Sequence, residues 1–271
     1  MQHNGWLRRT GRRLRPYVRE HKAVLIVYLV LRFFVIAALV LSLVDGNWEN
    51  AFVCVLALVL FLVPDALQKR LDLRLPSLLQ IIILLFIFAA EILGELSNYY
   101  VQYRHWDTVL HSTWGFLCAA IGFSLVDILN REKSVKLELS PLYLAIAAFC
   151  FSMTIGVLWE FFEYAGDTFL GFDMQKDTVI TEFSSVLLDP SMSNTPVRLE
   201  GITEVAINGQ SLGLGGYVDI GLHDTMEDLF VNFVGALVFS IVGYIDARRG
   251  GESWLARQLV PKPAEKDGDA A

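Results

Sequence analysis

An all-α membrane protein, a bundle of six transmembrane helices with an extracytoplasmic insertion of short β elements between helices five and six, is the fold this sequence predicts. Three observations carry the prediction. Of 271 residues 54% are hydrophobic and the mean hydropathy is +0.48, more apolar than a soluble domain of this length. Six runs approach the roughly 20 residues that cross a hydrocarbon core at about 1.5 Å per residue, at 23–44, 48–64, 76–96, 107–130, 140–164 and 224–246. Lys and Arg concentrate in alternate connections, as the positive-inside rule requires of cytoplasmic loops.

Taken in order, residues 1–22 form a basic segment with Arg8, Arg9, Arg12, Arg13, Arg15, Arg19 and Lys22, expected on the cytoplasmic side and suited to anionic lipid. Helices one to five occupy 23–164. The first run is longer than the apolar core of a signal peptide and no small-x-small cleavage site follows, so it reads as a retained span. Lys69, Arg70 and Arg74, then Arg131, Lys133 and Lys136, then Arg248 and Arg249 mark further cytoplasmic connections. An even number of spans places both termini in the cytoplasm. Residues 165–223 form the extracytoplasmic insertion, where PVRLEGITEVAINGQSLGLGGYVDIGL alternates branched residues with Gly and Asn-Gly, a pattern of short strands and tight turns. An insertion of this length is expected to act as a lid over the acidic end. Helix six covers 224–246 and a cytoplasmic tail 247–271. Trp6, Tyr17, Trp48, Tyr99, Tyr100, Trp106, Trp159 and Tyr244 fall at the expected boundaries, where amphipathic aromatics anchor spans.

The net charge of −7 and pI near 5.3 argue against a nucleic-acid partner, which needs a basic stripe. Cys54, Cys118 and Cys150 lie in apolar runs without metal-ligand spacing and read as buried free thiols.

The distribution of acids carries the functional signal. Asp107, His111, Gly115, Cys118 and Gly122 recur at intervals of three and four, so they share a helix face. So do Ser152, Gly156, Glu160, Glu163 and Asp167, and likewise Asp224, Asp228, Asn232 and Gly235, with Glu91, Glu95 and Asn98 on helix three. Each stripe is polar toward the extracytoplasmic end and small inward, and small residues let helices approach closely in lipid. Glu91 is the deepest acid, roughly 20 Å into a slab of about 30 Å. A charge at mid-membrane costs about 2.5 to 3.5 kcal/mol on insertion scales, so such residues face partners, cavities or ions. Carboxylates gathered with one imidazole need protons or a divalent cation to offset their repulsion. The expected metal ligands are Glu91, Asp107, His111, Glu160, Asp224 and Asp228, with Glu160, Glu163 and His111 as catalytic candidates and Glu95, Asp167 and Asn232 beside them. Oxygen donors suit Mg, Ca or Mn, and His111 admits Zn or Fe, so the identity of the divalent ion stays open.

Plainer readings stand beside these. Asp107 can be a helix N-cap. Asp224 and Glu227 can favour a helix N-terminal dipole, and Glu227 points away from its neighbours. Glu91, Glu160 and Glu163 can serve as interhelical hydrogen-bond groups, and Asp173 and Asp177 as solvated loop acids.

The segments WDTVLH, GVLWEFFEYAGD and GLHDTMEDLFVNFVGAL together resemble the YjdF-type family of bacterial inner-membrane proteins over about 76–246. More distantly, Asp-x-x-x-His, an intramembrane Glu, and Asp-x-x-x-Asp-x-x-x-Asn-x-x-Gly resemble VanZ-like proteins, which would carry over Asp107, His111, Glu160, Asp224, Asp228, Asn232 and Gly235. The resemblance implies a bacterial inner-membrane location and a site position, not a reaction. Three functions compete: a metal-assisted membrane hydrolase or transferase that acts on or binds a lipid-linked or envelope head group, with membrane lipids around it; a non-catalytic scaffold or complex subunit that binds an envelope protein; and a proton- or cation-coupled transporter.

Overall fold

The computed structural model describes residues 22–70, 73–131, 138–250 and 254–263. The expectations for the arginine-rich start, Trp6, Tyr17, Lys133 and Lys136 lie outside these residues, as does the end of the tail. Among the described residues six helices are long and apolar enough to cross a membrane: Lys22–Val44, Trp48–Arg70, Ser77–Leu96, Trp106–Asn130, Pro141–Leu170 and Leu222–Arg248, here spans one to six. The remaining regular structure is small antiparallel strand pairs and short helical turns. The protein is therefore an all-α, six-helix membrane protein. Its chain divides into two compact units, one of residues to Met153 together with those from Val231, the other Thr154–Phe230.

In the first unit, span two opens with Asn47, whose side chain accepts from Asn50 N at 3.0 Å and so satisfies one of the amides that a helix start leaves unpaired. The span is longer than its apolar run suggests. It turns at Phe61–Leu62 and resumes over Val63–Arg70, because Pro64 lacks an N–H and its ring opposes the preceding turn's carbonyl. The Gln68 side chain then accepts from Leu75 N at 3.1 Å, next to strand β1 (Leu73–Arg74), which pairs with β8 (Lys262–Pro263).

Span three is α-helical only to Ile87 and continues as a π-helix over Phe88–Leu96. Hydrogen bonds that reach five residues back rotate the side chains beyond a 3.6-residue face. The stripe expected there consequently does not hold: Glu91 is half-buried, and Glu95 and Asn98 are exposed.

Of the three apolar clusters among the described residues, the two larger ones organise this unit. Leu31 and Val35 of span one pack with Cys54, Ala57 and Phe61 of span two and Leu84, Ile87 and Ile92 of span three. Ala119, Ala120 and Phe123 of span four pack with Leu144 and Ala148 of span five and Ala236 and Phe239 of span six. Cys54 and Cys118 are buried as expected, but Cys150 is exposed. It lies two residues from both Ala148 and Ser152, which are fully buried, and a two-residue step turns a helical side chain to the opposite face.

The second unit begins with the end of span five, which passes into a π-turn at Gly166–Leu170 and stops at Gly171, whose φ of 70° only glycine adopts readily. Strands β2 (Val179–Ile180) and β7 (Tyr217–Val218), β3 (Phe183–Ser185) and β4 (Val197–Leu199), and β5 (Ala206–Ile207) and β6 (Gln210–Ser211) form three antiparallel pairs. The expected Asn-Gly turn joins the last pair, with Asn208 at φ 52° and Gly209 at φ 78°, the two left-handed residues of a type I′ hairpin. Asp189 organises the loop after β3. It accepts from the hydroxyl and backbone N–H of both Ser191 and Ser193, and these bonds hold its carboxyl well below the usual range.

A candidate acidic site

Glu160 and Glu163 lie three residues apart on span five and therefore on one face. Each is buried, at 4% and 7% exposure, and Asp228 near the start of span six is 3% exposed. All three belong to the second unit, and one carboxylate oxygen from each lies within 4.8 Å of the others. Trp159 Nε1 donates to Glu163 Oε1 at 2.7 Å, so an aromatic expected only as a boundary anchor also fixes a site carboxylate. An oxygen triad of this size matches the donor type that Mg, Ca or Mn prefer.

Asp167 and Asp224 are engaged elsewhere in the same unit. Asp167 accepts from Met174 N at 2.6 Å and Gln175 N at 2.8 Å, and Asp224 accepts from Lys176 N at 2.8 Å. Together they tie the chain after span five back to the helix ends, which leaves fewer lone pairs for a ligand. Glu227 is exposed, as its direction predicts. Asp173 and Asp177 are exposed too; slight desolvation of its carboxyl, then Asp173, Asp219 and Asp167 nearby, push Asp177 above the usual carboxylate value.

In the first unit, Asp107 Oδ1 lies 3.5 Å from His111 Nε2, one turn apart on span four, with the imidazole almost fully buried. The helix begins at Trp106, so Asp107 sits inside its first turn and is not an N-cap; its charge there suits the helix dipole. Asn232, 1% exposed, donates from Nδ2 to Met153 Sδ at 3.4 Å. A Cβ on Gly115 would fall 2.9 Å from Asn232 Oδ1 and closer still to its backbone carbonyl, and one on Gly235 would meet the Ser112 carbonyl. Ser152 Oγ donates to Gly115 O at 2.7 Å. The small residues of the predicted stripes are thus the points where spans four, five and six touch within this unit.

Charged residues inside the spans were not all anticipated from the sequence. Arg32 stands ten residues into span one, about 15 Å along the helix and so near mid-membrane. Its guanidinium donates to Tyr28 Oη and lies 5.5 Å from that ring's centroid. The signal was there: a lone cation inside an apolar run. Asp246 of span six, 6% exposed, was likewise passed over.

Searches among curated proteins and among solved structures each found no match. A family match covers residues 26–249, and by it the chain belongs to the predicted membrane protein family DUF2238.

Proposed function

We propose that Glu160, Glu163 and Asp228 form a divalent-cation centre and that the protein binds, or acts on, a lipid-linked or envelope head group there. The single observation that carries this reading is the triad itself, three buried carboxylates from two spans with oxygens within 4.8 Å of one another. Like charges so placed repel, and a divalent cation offsets that repulsion while polarising a phosphate oxygen or activating a water. In the catalytic form of the proposal Glu160 or Glu163 is the general base.

The chain's resemblance to YjdF-type proteins and the asymmetry of Lys and Arg between loops support a bacterial inner membrane with both termini cytoplasmic. The triad then faces outward and the 165–223 insertion serves as its lid. Neither search extends the resemblance to VanZ-like proteins. The scaffold reading is favoured by the hydrogen bond from Ser152 of span five to Gly115 O of span four, which acts as a packing contact.

Titration of chelator-treated, purified full chain with Mn²⁺, followed by calorimetry, tests the metal. Binding is expected, weakened at least tenfold by Glu160→Gln and by Asp228→Asn and unchanged by Glu95→Gln. A folded wild-type protein that takes up no Mn²⁺, Mg²⁺ or Ca²⁺ overturns the proposal in favour of the scaffold.

A further inference from the structure

The aromatic beside the carboxylate triad bears on which cation the triad takes. Trp159 precedes Glu163 by about one helical turn, and its Nε1 donates to Glu163 Oε1 at 2.7 Å. Phe162 flanks the indole, with ring centroids 5.4 Å apart and planes tilted by 33°. A hydrogen bond to an ionised carboxylate is roughly twice as strong as one to a neutral acceptor, so Glu163 is held firmly at one of its two oxygens. Other donors that would enlarge the ligand set are committed. Asp167 accepts backbone amides through both of its oxygens, and Asp224 Oδ2 accepts another. Glu160, Glu163 and Asp228 all lie inside the helices Pro141–Ala165 and Leu222–Arg248, where backbone carbonyls serve the helix's own hydrogen bonds.

We propose that Trp159 is a positioning residue that sets the cation preference of this centre: by holding one oxygen of Glu163 it confines that carboxylate to ligation through a single oxygen, and the centre takes a small cation of the Mg²⁺ or Mn²⁺ class in preference to Ca²⁺. The inference rests on the divalent-cation reading above and adds to it which ion is chosen and by which residue. Ca²⁺ takes about 6 to 8 oxygens at about 2.3 to 2.6 Å in a flexible shell, often from bidentate carboxylates and backbone carbonyls, whereas Mg²⁺ at about 2.0 to 2.1 Å is held by one or two carboxylates and keeps several waters. A bidentate carboxylate turns both oxygens on one ion. Glu163 does so only by giving up the bond from the indole. With its neighbouring acids and carbonyls committed, the centre is short of ligands for Ca²⁺ and sufficient for the smaller ion. Every residue in this set belongs to the second unit.

Parallel calorimetric titrations of the chelator-treated, detergent-purified full chain with Mn²⁺, Mg²⁺ and Ca²⁺ test the assignment. The wild type is expected to bind Mn²⁺ several-fold more tightly than Ca²⁺. Trp159→Phe keeps an aromatic ring and deletes the N–H; it is expected to raise the affinity for Ca²⁺ relative to Mn²⁺ several-fold, so that the ratio of the two affinities moves and not merely their level. Trp159→Gln supplies a side-chain N–H without the ring and is expected to keep the wild-type ratio. A Trp159→Phe protein in which both affinities fall by the same factor, or stay unchanged, overturns the role of Trp159, as does a Trp159→Gln protein whose ratio departs from that of the wild type. Ca²⁺ bound as tightly as Mn²⁺ by the wild type overturns the preference, and this arm decides the matter even if a variant fails to fold. Uptake of none of the three ions by folded wild type overturns the cation centre itself, and this inference with it.

Discussion

In span one 11% of the membrane-length window is buried, whereas in span four the share is 56%. Span one is the more uniformly apolar helix, rich in Leu, Val, Ile and Phe, yet Phe33, Phe34, Val40 and Leu41 are all exposed. Span four carries Gly115, Ala119, Ala120 and Gly122, all buried, together with His111. Lipid tails are as apolar as leucine, so large apolar side chains gain little when they leave lipid for protein, and close approach of backbones at small residues decides which helices pack. In span four polarity and small size, not hydropathy, mark the protein-facing surface.

The largest effect that probes this contrast is expected from Gly235→Leu. A side chain at that position meets the Ser112 carbonyl, and a Cβ alone would lie 3.0 Å from Phe116 N, both backbone atoms that cannot swing aside. Overpacking of this kind costs about 1 to 3 kcal/mol or more, so a fall of many degrees in Tm of the detergent-solubilised protein is expected, against almost none for Phe33→Leu on span one. Equal Tm shifts for the two variants refute the contrast.

Next in size is Arg32→Leu. Placing an arginine at mid-span costs about 2.5 to 3.5 kcal/mol on insertion scales, part of which Tyr28 offsets. The substitution is therefore expected to raise Tm and yield of inserted protein. A loss of stability instead shows that Arg32 contributes to packing, and that span one is less lipid-like than its exposure implies.

Asp177→Asn should give the smallest change, outside the membrane. An acid whose folded pKa is raised adds stability only below its unfolded value, and that contribution vanishes as pH rises through the folded value. At pH 7 its charge therefore opposes the fold of the insertion. The Asn variant should make the insertion slightly more resistant to limited proteolysis at pH 7, by a few tenths of a kcal/mol after solvent screening, and no different near pH 3.

Much of this was legible because the membrane simplifies the problem. Span limits follow from runs of apolar residues, and the 48–64 run fell short of the observed Arg70 end only because Pro64 interrupts the helix and the last turn is polar. The faces at Gly115, Ser152 and Gly235 followed from spacings of three and four. The face at Glu91 and Glu95 did not, since a π-helix departs from that period and nothing local announces it. Glu160 and Glu163 were readable as a pair on one helix, and Asp228 was expected beside Glu160; that Asp167 and Asp224 turn instead to the amides of residues 174–176 was not.

By itself the sequence determined that the chain crosses the membrane with six helices, which of their faces are small or acidic, and where an Asn-Gly hairpin forms. Those are consequences of local period, residue volume and the cost of backbone in hydrocarbon. Tertiary structure alone decided which carboxylates share a cluster and which hold loop amides, because each choice depends on distances between segments far apart in the chain. Residues with the same charge and the same helical spacing remain equivalent until a neighbour from another span claims their oxygens.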